Sequence, residues 1–340
     1  MRKLSFIFIG IILSSCVSTK FITLEVREPA AVSFPPEVTN VLIVDNSSSY
    51  TENEDESTKG SGILELDSAR TILLNSLALF MNEENYFSKV ELYPHKTNNS
   101  ETSIPLSKSK IQSLCKEKQA NSIISLDMFA ISAQVESENT AYFTNYSILG
   151  AKLGAFINVY SAEGALYSTP IGYIDSLFRA EERDWSRRIK SNIAEVNDLI
   201  TEISVVGADK LTGKFIPSWK TQDRFYYSDN SGKMKEAAQC VDAGKWAEAA
   251  EIWSDLYDTE TNPKKMIRLA LNLALANEAI DETENAFSWI NTAFGLLPSN
   301  NRKSQLATEV TLYKEILRNR LENKPKLYEQ LGLEDIEEEK

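Results

Sequence analysis

The chain has 340 residues, 42% of them hydrophobic, and its 49 acidic against 36 basic side chains give a net charge of −13. This length and composition fit about two folded domains and exclude a fibrous or disordered chain. The acidic balance argues against nucleic-acid binding and against electrostatic adhesion to anionic lipid, because both rely on lysine and arginine.

The N-terminus has the pattern of an export signal. Arg2 and Lys3 precede a short apolar run that ends at Leu13. This run is too short to cross a bilayer, which needs about 20 apolar residues, and a basic start followed by small residues is typical of a signal peptide. The sequence LSSC ending at Cys16 resembles the lipobox of bacterial lipoproteins. The resemblance implies cleavage after residue 15 and diacylglycerol on Cys16, and the alternative is an ordinary secretory signal with a chance cysteine.

These features predict where the protein resides. We expect residues 1–15 to be a signal peptide and residues 16–28 to be a lipidated segment. Since no second apolar run of about 18 residues occurs, lipid on Cys16 would attach the protein to a membrane. No acidic run follows Cys16, and such a run directs some Bacteroidota-type lipoproteins to the cell surface. We therefore expect a lipid-anchored protein of the cell envelope, at the outer membrane and facing the periplasm.

A mixed domain is predicted for residues 29–212. Short β-type patterns alternate there with longer helical ones, which favours an α/β or α+β sheet of mixed direction with covering helices. The predicted elements are strands at 40–44, 90–93, 122–133, 141–160 and 165–177 and helices at 67–81, 107–119 and 185–210. A further strand is predicted upstream, at 21–27.

The order of these elements resembles the α/β domains of envelope accessory lipoproteins of the curli-secretion and penicillin-binding-protein-activator types. The resemblance is carried by the sequence VLIVDN at 41–46, by the helix that starts at Ser68 and by INVYSAEG at 157–164. It implies a shared fold and, by itself, no shared function.

One motif in this domain suggests a metal site. Asp45, Ser47 and Ser49 follow the strand that ends at Val44, with the D-x-S-x-S spacing by which von Willebrand factor A-type domains bind Mg²⁺ through carboxylate and hydroxyl oxygens. In that fold a helix begins almost at once, whereas an acidic loop follows here and no second aspartate has the expected place. The alternative is an Asx or serine-rich turn without a metal.

No enzymatic activity and no cofactor are predicted. His95 is the sole histidine, so a catalytic triad or a zinc site lacks candidate residues, and no glycine-rich phosphate loop occurs. Once Cys16 is lipidated, Cys115 and Cys240 remain. They are either two free thiols that behave as small apolar residues or one bridge between the domains.

The rear of the chain is predicted to be helical. We expect a polar connector at 213–230, an all-α domain at 231–325 and an acidic tail at 326–340. The sequence GKWAEAAEIW at 244–253 resembles the turn and second helix of a tetratricopeptide repeat, a helix pair of about 34 residues.

The resemblance assigns roles to spaced residues. Gly244 would lie in the turn between the helices, and Trp246, Ala249 and Trp253 would pack between them. Leu256 departs from the small residue that is usual at its position.

A second unit follows Pro263, with Ala286, Ala293 and Pro298 at the repeat's spacing. Its turn glycine is absent, and Asp281 lies near that place. The alternative to a repeat is a generic helical bundle whose tryptophans and alanines fill a core.

The whole chain resembles an uncharacterised family of Bacteroidota-type lipoproteins with an α/β front and a tetratricopeptide-like rear. The lipobox, VLIVDN, GKWAEAAEIW and NLALANEA at 272–279 carry this resemblance, which implies no known activity. We expect a non-enzymatic scaffold that binds a protein partner on its helical-repeat surface and does not bind nucleic acid. The alternative is a ligand- or metal-binding envelope domain that uses the loop after Val44.

Overall fold

A computed structural model describes residues 18–48, 66–100, 102–138, 146–182, 190–229, 232–298 and 304–333. The predicted signal peptide, Cys16 and Ser49 lie outside the described residues. The chain forms two compact units. The α/β unit holds the described residues between 29 and 218 and from 328 onward, and the helical unit holds those between 18 and 28 and between 219 and 327. The predicted fold class, a mixed sheet with helices followed by an all-helical region, is confirmed.

The α/β unit contains a five-stranded sheet in the spatial order β3-β2-β4-β5-β6. Its strands are β2 (Asn40–Asp45), β3 (Lys89–Leu92), β4 (Ser122–Glu138), β5 (Tyr146–Ser161) and β6 (Ile171–Glu182). β2 runs parallel to β3 and β4, whereas β5 is antiparallel to both β4 and β6. Residues 41–44 of β2 are all buried, as is typical of a parallel strand with both faces covered.

Three helices cover this sheet unevenly. They are α1 (Leu66–Glu83), α2 (Lys108–Lys118) and α3 (Lys190–Phe215). α1 and α3 pack on one face, where Leu73 and Ile200 join Leu153 of β5 in the main core. α2 packs on the other face, where Ile111 and Leu114 lie over β2, β4 and β5 in a smaller cluster. No described residue of β6 belongs to that smaller cluster, so α2 covers part of its face.

The helical unit combines a two-stranded ribbon with helices. The ribbon is formed by β1 (Ser18–Glu28) and β7 (Ser218–Ser228). The helices are α4 (Gly232–Asp242), α5 (Trp246–Thr259), α6 (Pro263–Ala279), α7 (Thr283–Gly295) and α8 (Gln305–Leu331). α6 starts where the local sequence dictates, because Pro263 takes the first helical position and the side chain of Asn262 accepts from the backbone N–H groups of Lys264 and Lys265. None of the helices in the described part of the chain has the length and apolar character of a bilayer-crossing segment.

The predicted connector at 213–230 is corrected by the structure. It holds the end of α3 and strand β7, which pairs with the predicted N-terminal strand, here β1. The polar composition of the segment was misleading because some of its polar groups are buried and have buried partners. Arg224, for example, is 7% exposed and pairs with Glu278 of α6.

The predicted acidic tail at 326–340 is also corrected in part, because α8 continues to Leu331. Gln330 is buried in the α/β unit, where its Oε1 accepts from the Ala30 N–H at 2.8 Å. Its Nε2 donates to the carbonyl oxygens of Ala30 and Val32, both at 3.2 Å. Residues 334–340 lie outside the described residues.

Candidate functional site

A buried polar cluster lies at the carboxyl end of β2, where the parallel pairing of β2 with β4 stops. In open α/β sheets, ligands bind beyond the carboxyl ends of the strands, at the point where the strand order reverses. Here the chain passes from β2 to β3 on one side and later to β4 on the other, so the reversal lies at β2. Asp45 ends β2, and Asn46 and Ser47, both buried, follow it at this edge.

Asp127 is the centre of the cluster. The pairing of β4 with β5 shifts register between Leu126 and Met128, which leaves Asp127 as the extra residue of a bulge. Its side chain is 1% exposed. The Oδ1 atom accepts hydrogen bonds from Asn46 Nδ2 at 2.6 Å and from Ser125 Oγ at 2.7 Å, and Oδ2 accepts from Asn158 Nδ2. Bulges are frequent beside functional sites because they re-aim a side chain.

The cluster leaves one buried acceptor without a partner. Asn158 is 5% exposed, and its Nδ2 is committed to Asp127, so its Oδ1 remains unpaired in the described structure. In the described part of the chain, no lysine or arginine forms an ion pair with Asp127. An uncompensated carboxylate and an unpaired acceptor are both costly in a buried setting. Sequence reasoning missed this cluster, although a single aspartate inside the apolar run SIISLDMFAIS was a usable signal.

The residues of the D-x-S-x-S motif form a turn in the structure. Asp45 Oδ1 accepts from the Ser47 N–H at 3.1 Å and from Ser47 Oγ at 2.7 Å, which is an Asx turn. Its other oxygen, Oδ2, lies 2.8 Å from Nε of Arg70 on α1. Ser49, the third candidate ligand, lies outside the described residues.

Positive charge surrounds this turn. Lys96 donates to the Ser48 carbonyl at 3.3 Å, and burial together with the Arg70 charge lowers the pKa of Lys96 against the opposing effect of Asp45. A metal ion at Asp45 would therefore have to displace a guanidinium group. Among the residues that the structure describes, no three His, Cys, Asp or Glu side chains are grouped to hold a metal.

The α/β unit also has an apolar sheet face that no described helix covers. Leu153 and Tyr173 point into the main core, so the residues next to them in β5 and β6 point to the opposite side. The open sheet face consists of Met128, Gly154, Phe156, Gly172, Ile174 and Phe178. Its large side chains are all exposed, and Ile174 is 86% exposed. In the register Met128 lies opposite Phe156, and Ile174 lies opposite Gly154, so the apolar groups adjoin across three strands.

Neither the packing nor the backbone conformation of the chain requires a glycine at the two glycine positions of this face. A Cβ added to Gly154 or Gly172 would meet no atom within 4 Å. Neither glycine has a positive φ. Glycine within a strand costs about 0.5–1 kcal/mol relative to alanine, and it often marks a place where another backbone or ligand approaches closely. These glycines therefore favour contact between the open sheet face and another molecule.

In the helical unit, residues that the sequence assigns to a tetratricopeptide-like repeat have counterparts 37 positions further along the chain. Gly244 and Asp281 both have left-handed backbone, with φ of 71° and 65°, in the turns before α5 and α7. The packing residues on these helices are fully buried: Ala249, Trp253, Ala286, Ile290 and Ala293. Trp246 packs partly buried against the same core, and Pro298 is exposed after α7.

A charged network links three elements of the helical unit. Glu278 of α6 is 2% exposed, and its two carboxylate oxygens accept from Nε and Nη2 of Arg224 on β7, both at 2.9 Å. Arg320 of α8 lies 3.2 Å from the same carboxylate, and the hydroxyl of Tyr313 donates to it at 2.7 Å. This network fixes β7 against α6 and α8 and has no exposed group to offer a ligand.

Both described cysteines are free thiols, which decides between the alternatives left by the sequence. Cys115 lies on the buried side of α2, and burial, helped by the charge of Glu163, raises its pKa to about 11. It is therefore protonated and unreactive at neutral pH. Cys240 of α4 is half-buried.

Comparison with known proteins gives no curated relative, since no curated protein matches the chain. Solved structures that resemble it include a minor lipoprotein from Acinetobacter baumannii (9% identity, TM-score 0.28, 52% of this chain and 90% of that one). A second is a neuraminyllactose-binding hemagglutinin homolog from Helicobacter pylori (15% identity, TM-score 0.31, 53% and 89%). A third is the rare lipoprotein B from Shewanella oneidensis (12% identity, TM-score 0.24, 51% and 92%). At such low TM-scores these likenesses carry no argument about function.

Two family profiles match the chain. A domain of unknown function, DUF6340, matches residues 235–319, within the helical unit. Another domain of unknown function, DUF8603, matches residues 38–227, which include the whole five-stranded sheet, α1 to α3 and nearly all of β7. Because this second match spans more than half of the chain, the protein belongs to the DUF8603 family.

Proposed function

We propose that the protein is a lipid-anchored lipoprotein of the bacterial cell envelope that binds another protein and has no enzymatic activity of its own. The anchor is proposed from the lipobox at Cys16, and the orientation toward the periplasm from the lack of an acidic run after it. The helical-repeat surface is the binding region proposed from the sequence. The open sheet face is a second region, and it carries the proposal from the structure.

The open sheet face supports protein binding for two reasons. Contiguous exposed apolar patches on soluble domains mark interaction sites, and this patch lies on rigid, paired strands rather than on a loop. On the opposite side of the same strands, α3 supplies the apolar layer that a sheet face requires. We therefore propose that a partner supplies the missing layer, as a helix whose apolar side packs into the shallow places left by Gly154 and Gly172.

The charge on this surface restricts the partner further. Lys152 of β5 is exposed on this face, between the positions of Ile174 and Phe178 on the neighbouring strand. Among the described side chains that point to this side of β5, it is the charged one. A partner helix with an acidic group among its apolar residues would complement it.

The test is crosslinking in intact cells followed by recovery of the protein from membranes. Ile174→Glu should abolish a crosslinked partner that the unchanged protein yields, because it places a charge in the middle of the open sheet face. Leu79→Glu is the matched control, since Leu79 is equally apolar and 55% exposed on α1, away from this face. Recovery of monomer alone from the unchanged protein would contradict the proposal, and so would loss of the partner in both variants.

The anchor is tested separately. Metabolic labelling with a fatty-acid probe should mark the unchanged protein and not Cys16→Ala, and membrane fractionation should then place the labelled protein in the outer membrane. Label that persists in Cys16→Ala would exclude lipidation at this residue.

A second candidate function is ligand or metal binding at the loop after Val44, and the unpaired Oδ1 of Asn158 beside Asp127 favours it. Calorimetric titration with Mg²⁺ and Ca²⁺ tests its metal form. Heat that disappears in Asp45→Ala would support a metal site, and the absence of heat in the unchanged protein would remove it.

A further inference from the structure

The first described strand starts immediately after the proposed lipid anchor. β1 begins at Ser18, two residues beyond Cys16. A residue spans at most about 3.3–3.6 Å, so the Cα of Ser18 lies within about 7 Å of the Cα of Cys16. β1 is also a fixed part of the helical unit, because its Ile22 and Leu24 pack against the helical core. Lipid on Cys16 would therefore hold the helical unit itself at the bilayer, without an intervening flexible linker.

The β1/β7 ribbon has an inner and an outer face. Contacts between the strands run in opposite order along the two sequences, from Ser18 with Ser228 to Arg27 with Trp219, as in an antiparallel pair. Since Ile22 and Leu24 pack against the helical core and Val26 is buried, the odd-numbered residues of β1 point outward. The outer ribbon face consists of Phe21, Thr23, Glu25 and Arg27 of β1 with Trp219, Thr221 and Asp223 of β7.

Two large aromatic side chains on the outer ribbon face are exposed. Phe21 is 80% exposed near the anchored end, and Trp219 is 60% exposed at the far end. The Arg27 guanidinium lies 5.7 Å from the centre of a Trp219 ring, which leaves a cation beside that aromatic group. Tryptophan and other amphipathic or aromatic side chains favour the headgroup region of a bilayer. Exposure to water at both positions is therefore unfavourable unless another surface covers them.

We propose that the outer ribbon face lies flat on the bilayer, with Phe21 and Trp219 in the headgroup region. This rests on the proposed lipidation of Cys16, which fixes one end of the ribbon at that surface. Phe21 is three residues beyond Ser18, about 10 Å along the strand. An upright ribbon would thus hold Phe21 away from the lipid, whereas a ribbon lying along the surface lets both aromatic groups enter it.

The charges of the outer ribbon face specify the lipid. Glu25 and Asp223 offset Arg27, and Lys20 at the anchored end is already paired with Asp242 at 3.8 Å. The face is therefore not basic and fits zwitterionic headgroups rather than a strongly anionic surface. The ribbon is therefore held at the bilayer by burial of the two aromatic rings, in addition to the lipid on Cys16.

The experiment uses the full-length lipidated protein, purified from membranes and reconstituted into phosphatidylcholine vesicles, with or without bromine on the acyl carbons nearest the headgroup. Bromine quenches tryptophan fluorescence on contact. In a Trp219→Phe background, Phe21→Trp places a reporter on the outer ribbon face. Ile280→Trp is the matched control, because Ile280 is a 44% exposed residue at the end of α6, which packs on the inner side of the ribbon through Glu278 and Arg224.

We expect the reporter at position 21 to be quenched at least twofold more than the reporter at position 280, and Trp219 of the unchanged protein to be quenched similarly. Equal quenching at positions 21 and 280 overturns the proposal, whether both are quenched or neither. Fatty-acid labelling of the same preparations separates this failure from that of the anchor, since unlabelled protein would refute lipidation itself. Circular dichroism of each variant verifies that it is folded.

Discussion

The α/β unit and the helical unit both bury a carboxylate, and they stabilise it in opposite ways. Asp127 is surrounded by neutral donors, the amides of Asn46 and Asn158 and the hydroxyl of Ser125. Glu278 is surrounded by the guanidinium groups of Arg224 and Arg320. Both carboxylates have both oxygens hydrogen-bonded, but Asp127 has no counter-charge beside it and leaves the Asn158 oxygen unpaired, whereas Glu278 has two guanidinium groups beside it.

This difference in counter-charge and hydrogen bonding distinguishes a network that stabilises the fold from a cluster that is a candidate binding site. The Glu278 network connects β7, α6 and α8, elements that are far apart in sequence, and its groups are already satisfied by one another. The Asp127 cluster lies on a bulge at the edge where ligands bind in sheets of this kind. A fold keeps an incompletely satisfied buried group at a cost of stability, so the Asp127 cluster is the better place to look for a function within this unit.

The largest effect is expected for Glu278→Ala, which should lower the free energy of unfolding of the helical unit by about 3–5 kcal/mol, because it leaves the Arg224 guanidinium buried without a counter-charge. Urea unfolding followed by tryptophan fluorescence measures this, since Trp219, Trp246, Trp253 and Trp289 lie in the helical unit. Glu284→Ala is the control. Glu284 is 57% exposed and paired with Lys324, so its loss should cost under about 1 kcal/mol. Equal effects of the two substitutions would contradict the distinction drawn between the carboxylates.

Asp127→Ala should have a smaller effect, a loss of about 1–3 kcal/mol in the α/β unit. It leaves three neutral donors unpaired but removes the buried charge instead of stranding one. Hydrogen exchange of the β2 and β4 amides measures the change. Glu202→Ala, which breaks an exposed pair with Arg179, should leave the same amides unchanged. A loss as large as that of Glu278→Ala would show that Asp127 is as much a structural element as Glu278.

The local parts of both units could be predicted from the sequence. The apolar run of β2 and the three- and four-residue spacing in α1 and α3 predicted elements that the structure confirms. In the rear of the chain, the placing of Asp281 near a turn glycine agrees with its positive φ. These features depend on neighbours a few residues away, which a sequence pattern contains.

The features that the sequence did not reveal depend on distant partners. The polar stretch around Arg224 resembled a connector because Glu278, its partner, lies 54 residues away. Asp127 needs Asn46, which follows β2, and Asn158 of β5 to become a buried cluster. The open sheet face is visible only when the helices that cover the sheet are known, since the alternation of β5 and β6 does not say which faces are covered.

Low pH should weaken the Glu278 network of the helical unit, which tests how far that network stabilises the unit. Burial raises the pKa of Glu278, but its hydrogen bond with Arg224 and the Arg224 charge, aided by Tyr313 and Arg320, lower it overall below the ordinary value of 4.5. A carboxyl group with a depressed folded-state pKa contributes stability above its unfolded pKa and loses it as pH falls through the folded value. The unfolding free energy of the helical unit should therefore fall progressively below about pH 4.5. Glu278→Gln should be less stable at pH 7 and show a shallower decline in acid, and a decline of the same slope would contradict this assignment.

The smallest effects are expected in the turns before α5 and α7 of the helical unit, where Gly244 and Asp281 share a left-handed backbone conformation. Gly244→Ala should cost about 1 kcal/mol, because a residue with a Cβ is strained in left-handed backbone. The added Cβ would meet no atom within 4 Å, so this cost comes from the backbone alone. Asp281→Gly relieves the same strain at φ 65° but loses the exposed contact with Arg320 at 2.7 Å, so its net gain should stay below about 1 kcal/mol. Urea midpoints of the two variants measure both effects. A neutral Gly244→Ala together with a destabilising Asp281→Gly would show that the turns are held by side-chain contacts rather than by a shared backbone requirement.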